Sequence, residues 1–200
     1  TTFTLVEARP LPARDVSGDY YDFFDSGTDG MSFVLADVSG KGIAAALLMA
    51  NLQAAFRSQY ELWRTEPSVL VPIVHRQFFS ATPPEHYATL FYASFEIRSS
   101  TLKYVNCGHL PPLLLRATGE LERLEATATV LGLFAPWAGE QQAVRLNSGD
   151  MLLLFSDGVT EAGFEKNADF GEDRVIALSR SYSNLPIREC IERISDELQT

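Results

Sequence analysis

The chain has 200 residues, of which 46% are hydrophobic, and its formal net charge at pH 7 is −10. This length and composition suffice for one sizeable core, so we expect one compact domain. The acidic charge argues against nucleic acid or an anionic membrane as the main partner. Two cysteines without a second Cys or His at zinc-ligand spacing do not indicate a zinc site or a disulfide framework. We therefore predict a reduced, cytoplasmic setting without membrane contact.

The first half of the chain begins with strands. Residues 3–7 alternate between apolar and polar and predict a strand. Residues 20–24 and 31–38 predict two more strands, joined by the turn cluster at residues 25–30. A hairpin of this kind is antiparallel, so the start of its first strand lies beside the end of its second. Asp19 and Asp37 are therefore predicted to be neighbours at one end of a sheet.

Helices and further strands follow in alternating groups. A long helix is predicted from residue 43 to residue 62 or 63, and a second from Pro67 to about residue 79. Further strands are predicted at residues 88–97, 102–106, 113–116, 121–124, 143–146 and 151–155, and helices at residues 172–180 and 186–198. Consecutive strands with short turns, combined with paired helices, are typical of antiparallel sheets flanked by helices.

Three acidic segments contain the candidate functional residues of the chain. They are residues 18–22 (GDYYD), 36–42 (ADVSGKG) and 155–161 (FSDGVTE). Each places an Asp in or beside a predicted strand, and glycines next to two of these Asp allow close approach of backbone and solvent. Carboxylates at strand ends, with few His and Cys nearby, suit hard divalent cations such as Mg²⁺ or Mn²⁺. The pattern indicates a metal-dependent hydrolase.

Together with residues 88–92 (ATLFY) and 104–112 (YVNCGHLPP), these segments closely resemble the SpoIIE-type bacterial serine/threonine phosphatases. This group belongs to the PPM, or protein phosphatase 2C-like, superfamily. The resemblance extends from residue 8 to about residue 171, in the order and spacing of the family. It implies an α+β fold, a four-layer α-β-β-α sandwich of two mainly antiparallel sheets flanked by helix pairs. It also implies two Mn²⁺ or Mg²⁺ ions and hydrolysis of phosphoserine or phosphothreonine by metal-activated water.

The resemblance assigns roles to four residues. Asp37 matches the metal-bridging Asp of the family, and the backbone carbonyl of Val38 matches the next ligand position. Asp19 matches the Asp that binds the metal cluster directly or through water, and Asp157 matches the Asp of the later strand. The three carboxylates are thus the predicted catalytic and metal-binding side chains. Residues 1–200 are expected to form a single domain of this type that lacks the family's final strand and its metal-binding Asp.

Several polar residues near these motifs have alternative interpretations. Asp22 is expected to be a hydrogen-bonded strand residue, with a fourth metal ligand as the alternative. His109 is expected to hydrogen-bond structurally, with proton donation to the leaving group as the alternative. Lys41 is either a phosphate ligand or a solvent-exposed loop residue, and the role of Glu161 is left open. Two histidines are expected to be ordinary surface residues: His75 and His86.

The leading hypothesis is a phosphatase acting on a small phosphorylated signalling protein. In this branch the resemblance implies an anti-sigma-factor antagonist as the substrate and a fused sensory or receiver domain. An alternative is a catalytically weak relative that only binds such a partner. A third possibility, a phosphodiesterase or other two-metal hydrolase, requires histidine ligands that the sequence does not supply.

Overall fold

The computed structural model describes residues 18–25, 29–162 and 170–198, and the strand predicted at residues 3–7 lies outside them. The described part contains, in chain order, β1 (Asp19–Asp25), β2 (Gly30–Val38), α1 (Ile43–Trp63), α2 (Pro67–Ala81), β3 (Ala88–Glu96), β4 (Thr101–Cys107), β5 (Leu113–Leu115), β6 (Leu121–Arg123), β7 (Gln142–Arg145), β8 (Met151–Leu153), α3 (Asp157–Thr160), α4 (Glu172–Tyr182) and α5 (Ile187–Leu198). The predicted elements are present with small shifts of their ends. Two differences stand out: β8 ends at Leu153, and the short helix α3 was not predicted.

The described residues form two compact units. The first comprises the described residues between positions 18 and 111 together with Leu124–Leu146, and the second comprises Pro112–Arg123 together with the described residues between positions 147 and 198. The first unit contains an antiparallel sheet of five strands in the order β1-β2-β3-β4-β7. The second contains an antiparallel sheet of three strands in the order β6-β5-β8 and the contacting helices α4 and α5. The predicted α+β class is confirmed.

Helix α1 lies on one face of the five-stranded sheet because its apolar residues recur at helical spacing. Leu52, Phe56 and Tyr60 are spaced four apart and are all buried. The Phe56 ring meets Tyr20 of β1 and Tyr92 of β3 edge to face, with centroids 6.4 and 5.0 Å away. One helix side chain thus contacts two strands. None of the helices formed by the described residues combines the length and apolar character needed to cross a bilayer.

The turn from β2 into α1 depends on glycine. Gly40 and Gly42 have φ values of 102° and 76°, a backbone conformation that residues other than glycine rarely adopt. Helix α1 then begins at Ile43, and the amide N–H of Ala46 donates to the carbonyl oxygen of Gly42 at 3.1 Å. The chain therefore passes directly from the end of β2, where Asp37 lies, into a helix of the core.

The packing of α1 gives a stability prediction. Leu52 is completely buried, whereas Leu47 on the same helix is 68% exposed. Leu52→Ala should lower the free energy of unfolding by about 2–5 kcal/mol, because it removes buried apolar contacts and leaves a cavity. Leu47→Ala should change it by less than about 0.5 kcal/mol. Urea unfolding of both variants measures the difference, and equal losses would contradict the packing described here.

Candidate metal centre

Asp19 and Asp37 lie directly opposite each other on paired strands. Asp19 is the first residue of β1, and its partner in the antiparallel register is Asp37, near the end of β2. Directly opposed residues place their side chains on the same face of a sheet, with Cβ atoms about 4.5–5.5 Å apart. The Asp19 side chain is exposed and that of Asp37 is half-buried. The predicted proximity of these two carboxylates is confirmed.

Gly18 allows the start of β1 to approach the end of β2 very closely. The amide N–H of Val38 donates to the carbonyl oxygen of Gly18 at 3.3 Å. A β-carbon at position 18 would lie 2.7 Å from the carbonyl oxygen of Val38 and 3.4 Å from Oδ1 of Asp37. The first distance is too short for any side chain without backbone movement. Glycine at this position therefore leaves room for the two oxygen atoms of Asp37 and Val38 that the sequence predicts as metal ligands.

The residue after Val38 is anchored to the loop between α2 and β3. Backbone N–H of Ser39 donates to the carbonyl of Tyr87 at 2.8 Å, and N–H of Tyr87 donates to Ser39 Oγ at 2.9 Å. The Nδ1 atom of His86 lies 3.2 Å from the carbonyl oxygen of Ser39. The prediction that His86 is an ordinary surface residue is wrong. It is half-buried and helps to hold the segment that follows the candidate ligands.

On the other side of Asp37 lies Thr89 of β3, its partner in the register between β2 and β3. Thr89 Oγ1 is 2.9 Å from Nδ1 of His109, a buried side chain. The amide N–H of His109 donates to Oδ1 of Asn106 at 2.8 Å, and Nδ2 of Asn106 donates to the carbonyl of Leu124 at 3.0 Å. These contacts agree with the structural hydrogen-bonding role expected for His109. No pattern in the sequence predicted that His109 would contact Thr89, the residue beside Asp37.

Asp22 points away from the candidate centre. It is three residues from Asp19 on the same strand, so the two side chains lie on opposite faces of the sheet. Its carboxylate accepts hydrogen bonds from Arg57 of α1, at 2.8 Å from Nε, and from the hydroxyl of Tyr20 at 3.1 Å. Burial and the Asp22 charge raise the pKa of Tyr20, which keeps this hydroxyl protonated. The expected hydrogen-bonding role of Asp22 is confirmed.

Asp157 belongs to the second compact unit, where it is the first residue of α3. Its carboxylate is exposed, and its backbone carbonyl accepts hydrogen bonds from the amide of Glu161 at 2.8 Å and the hydroxyl of Thr160 at 3.0 Å. Within residues 18–25, 29–162 and 170–198, no group of three or more His, Cys, Asp or Glu side chains is arranged to hold a metal ion. The assignment of Asp157 to the same centre as Asp19 and Asp37 thus stays a prediction.

Two other predicted polar residues have clear positions. Lys41 is exposed in the turn before α1. His75, predicted at the surface, is buried: its ring stacks on Phe79, and its Nδ1 accepts a hydrogen bond from the amide of Gly132 at 3.4 Å. Burial lowers the pKa of His75, so the ring is neutral at pH 7. His75 therefore has a structural role in the core, where α2 places it against the loop that contains Gly132.

The donors at the end of the five-stranded sheet fit a hard divalent cation. Two carboxylates on directly opposed residues repel each other, and a bound cation would offset that repulsion. The carbonyl oxygen of Val38 lies beside them, against Gly18. Oxygen donors of this kind suit Mg²⁺ and Mn²⁺ better than Zn²⁺, which favours sulfur and nitrogen.

Comparison with known proteins identifies the family to which this chain is similar. The family model "Stage II sporulation protein E (SpoIIE)" matches residues 27–200. The phosphoserine phosphatase RsbU of Bacillus subtilis (strain 168) is 34% identical over 161 residues, which cover 80% of this chain and 48% of RsbU. The chain thus spans less than half the length of this relative.

Two solved structures show the same fold. The SiaA-PP2C domain of Pseudomonas aeruginosa has a TM-score of 0.78 at 20% identity, covering 92% of this chain and 73% of that one. The catalytic domain of the serine/threonine phosphatase PstP, solved in complex with two manganese ions, has a TM-score of 0.68 at 15% identity, covering 94% of this chain and 86% of that one. Because the SpoIIE model matches most of the sequence, this chain belongs to the SpoIIE family of PPM-type serine/threonine phosphatases.

Proposed function

We propose that this chain is a phosphatase domain that removes phosphate from phosphoserine or phosphothreonine in a protein substrate, using Mn²⁺ or Mg²⁺. The observation that carries the proposal is the cross-strand pair of Asp19 and Asp37, with the carbonyl of Val38 beside it. Family membership and the similarity to RsbU support the reaction class. The similarity to PstP, which was solved with two manganese ions, supports the class of metal.

The residues of the chain would hold and orient the metal. Asp37 occupies the central position, because it has Asp19 on one side and the polar Thr89 on the other. The Val38 carbonyl adds an uncharged donor whose place is set by the contact with Gly18. When bound, two divalent cations activate water, hold the phosphoryl oxygens and stabilise the charge that develops during an in-line displacement. A nucleophilic side chain is then unnecessary, which agrees with a sequence lacking an evident Ser-His-Asp or Cys-His arrangement.

Asp157 is included in the proposal because of the sequence that surrounds it. It follows an apolar strand and precedes a glycine in the segment FSDGVTE, the pattern matched by the family's later metal-binding Asp. Its exposed carboxylate is available to a cation. Asp157→Asn is therefore expected to raise the Mn²⁺ concentration needed for half-maximal activity.

The substrate that we propose is a small phosphorylated signalling protein in sigma-factor regulation, specifically an anti-sigma-factor antagonist. Support comes from RsbU and from RsbP, another phosphoserine phosphatase of Bacillus subtilis (strain 168), which is 26% identical over 190 residues. The chain covers 48% of RsbU and 45% of RsbP. A fused sensory or receiver domain and a cytoplasmic setting belong to the same proposal.

A second candidate function is a catalytically weak domain that binds the phosphorylated partner without processing it. The observation that favours it is the lack of a gathered group of three metal-binding side chains among the described residues. Mn²⁺-dependent hydrolysis of p-nitrophenyl phosphate distinguishes the two candidates, since a catalytically weak or inactive binding domain would show little or none.

The central role of Asp37 gives the first functional prediction. Asp37→Asn keeps the side-chain volume but removes the charge, so it should abolish Mn²⁺-dependent hydrolysis and Mn²⁺ binding. Asp29→Asn is the matched control, because Asp29 is an exposed carboxylate at the opposite end of β2. Turnover by the Asp37 variant close to that of the unmodified full-length protein would refute the site.

The identity of the metal is a separate prediction. Carboxylate and carbonyl donors should make Mn²⁺ or Mg²⁺, and not Zn²⁺, the activating ion. The test removes bound metal with a chelator and measures hydrolysis after adding back each ion alone. Full activity with Zn²⁺ and no response to Mn²⁺ would count against the proposed donor set.

The contact at Gly18 gives a further prediction. Gly18→Ala should raise the Kd for Mn²⁺ by about tenfold, because its β-carbon would displace the Val38 carbonyl and disturb Asp37. Calorimetric titration measures the Kd, and urea unfolding measures any accompanying loss of stability. A variant that loses stability but binds Mn²⁺ with unchanged affinity would show that Gly18 serves packing alone.

A further inference from the structure

A row of polar side chains crosses three strands at one end of the five-stranded sheet. Asp19, Asp37 and Thr89 are consecutive partners in the two registers, so their side chains lie on the same face. Below this row the same face is apolar, since Leu35 and Phe91 are the partners two residues away. Thr89 is thus a hydroxyl placed beside the central carboxylate, in a row otherwise formed by acidic residues.

Thr89 is held by a buried histidine. Its Oγ1 lies 2.9 Å from Nδ1 of His109, which is 5% exposed. The backbone of His109 is held in turn by the side chain of Asn106, which is itself completely buried. A buried chain of hydrogen bonds of this kind restricts the rotation of the groups that it connects. The hydrogen bond to His109 therefore restrains the position of the Thr89 hydroxyl.

We propose that the Thr89–His109 pair positions the Asp37 carboxylate for metal binding, with Thr89 donating its hydroxyl proton to Asp37 and accepting a hydrogen bond from Nδ1–H of His109. This inference rests on the proposed function of Asp37 as a metal ligand. A hydroxyl has one proton to donate, so donation to Asp37 requires His109 to be the donor in its contact with Thr89. Outer residues that hydrogen-bond to ligating carboxylates orient them and affect metal affinity. His109 is then a positioning residue that acts through Thr89.

The first test removes the hydroxyl. Thr89→Val keeps the shape of the side chain and should raise the Kd for Mn²⁺ by roughly 10–100-fold, the range typical of lost outer-shell contacts. Thr89→Ser restores the hydroxyl and should restore most of the affinity. Ser94→Ala is the matched control, because Ser94 is a buried hydroxyl on β3 whose side chain lies on the opposite face. Loss of the free-Mn²⁺ electron paramagnetic resonance signal measures the Kd without any turnover.

The second test examines which proton His109 carries. His109→Asn places an amide N–H near the position of Nδ1 and should keep the Mn²⁺ affinity, whereas His109→Ala should weaken it as much as Thr89→Val. The double variant Thr89→Val with His109→Ala should be no weaker than either single variant, since both remove the same support. Urea unfolding of each variant separates loss of metal affinity from loss of the fold.

The outcomes separate this inference from the proposed function. If Asp37→Asn loses Mn²⁺ binding while Thr89→Val retains it, the positioning role is wrong and the metal site stands. If Asp37→Asn also binds Mn²⁺ normally, the metal site itself is wrong. His109 would be a proton donor, contrary to this inference, if His109→Ala bound Mn²⁺ normally, cleaved p-nitrophenyl phosphate normally and failed on a phosphoserine peptide. That pattern identifies a proton donor because p-nitrophenolate leaves without protonation, whereas a serine alkoxide requires it.

Discussion

The antiparallel register between β1 and β2 is the constraint on which the candidate centre depends. It places Asp19 opposite Asp37, and the same pairing places Gly18 against the carbonyl of Val38. A shift of one residue would turn every side chain of β1 to the other face of the sheet. Asp19 would then face the core beneath α1, and Tyr20 would face outward. The burial of Tyr20 against Phe56 therefore helps to hold the register that keeps the two carboxylates together.

The segment containing Asp37 and Val38 is restrained on three sides. Gly18 meets it from β1, Ser39 attaches its end to Tyr87, and Thr89 lies beside Asp37 on β3. Regular backbone pairing and buried hydrogen bonds make a strand end more rigid than a free loop. A rigid donor set binds a cation with little loss of conformational entropy, which is the advantage of preorganisation in binding sites. Thus the same contacts that stabilise the sheet also prepare it for a metal ion.

The acidic charge of the site connects metal binding to stability. Opposed carboxylates such as Asp19 and Asp37 repel each other, and a bound divalent cation offsets this repulsion only in the folded protein. A ligand that binds only the folded state raises its stability. If Asp19 and Asp37 bind a cation as proposed, Mn²⁺ would stabilise the first unit through contacts at the polar row of Asp19, Asp37 and Thr89.

Much of the local structure could be predicted from the sequence because its signals are local. The alternating strands of the β1-β2 hairpin, the helical spacing in α1 and the glycines after Val38 each depend on a few neighbouring residues. The neighbouring placement of Asp19 and Asp37 followed from the same pattern. The end of β8 at Leu153 and the short helix α3 were not predicted, since single turns and strand ends carry weak signals.

The contacts between distant segments of the chain were decided by tertiary structure alone. His86 meets Ser39 across 47 positions of the chain, and His75 meets Gly132 across 57. Arg57 pairs with Asp22 across 35. No short pattern in the sequence encodes such pairs, because they form only when packing brings distant segments together. The amino-acid sequence determined which residues could bind a metal and which strands carry them, whereas the folded arrangement of β3 and its neighbouring loops decided what holds Asp37 in place.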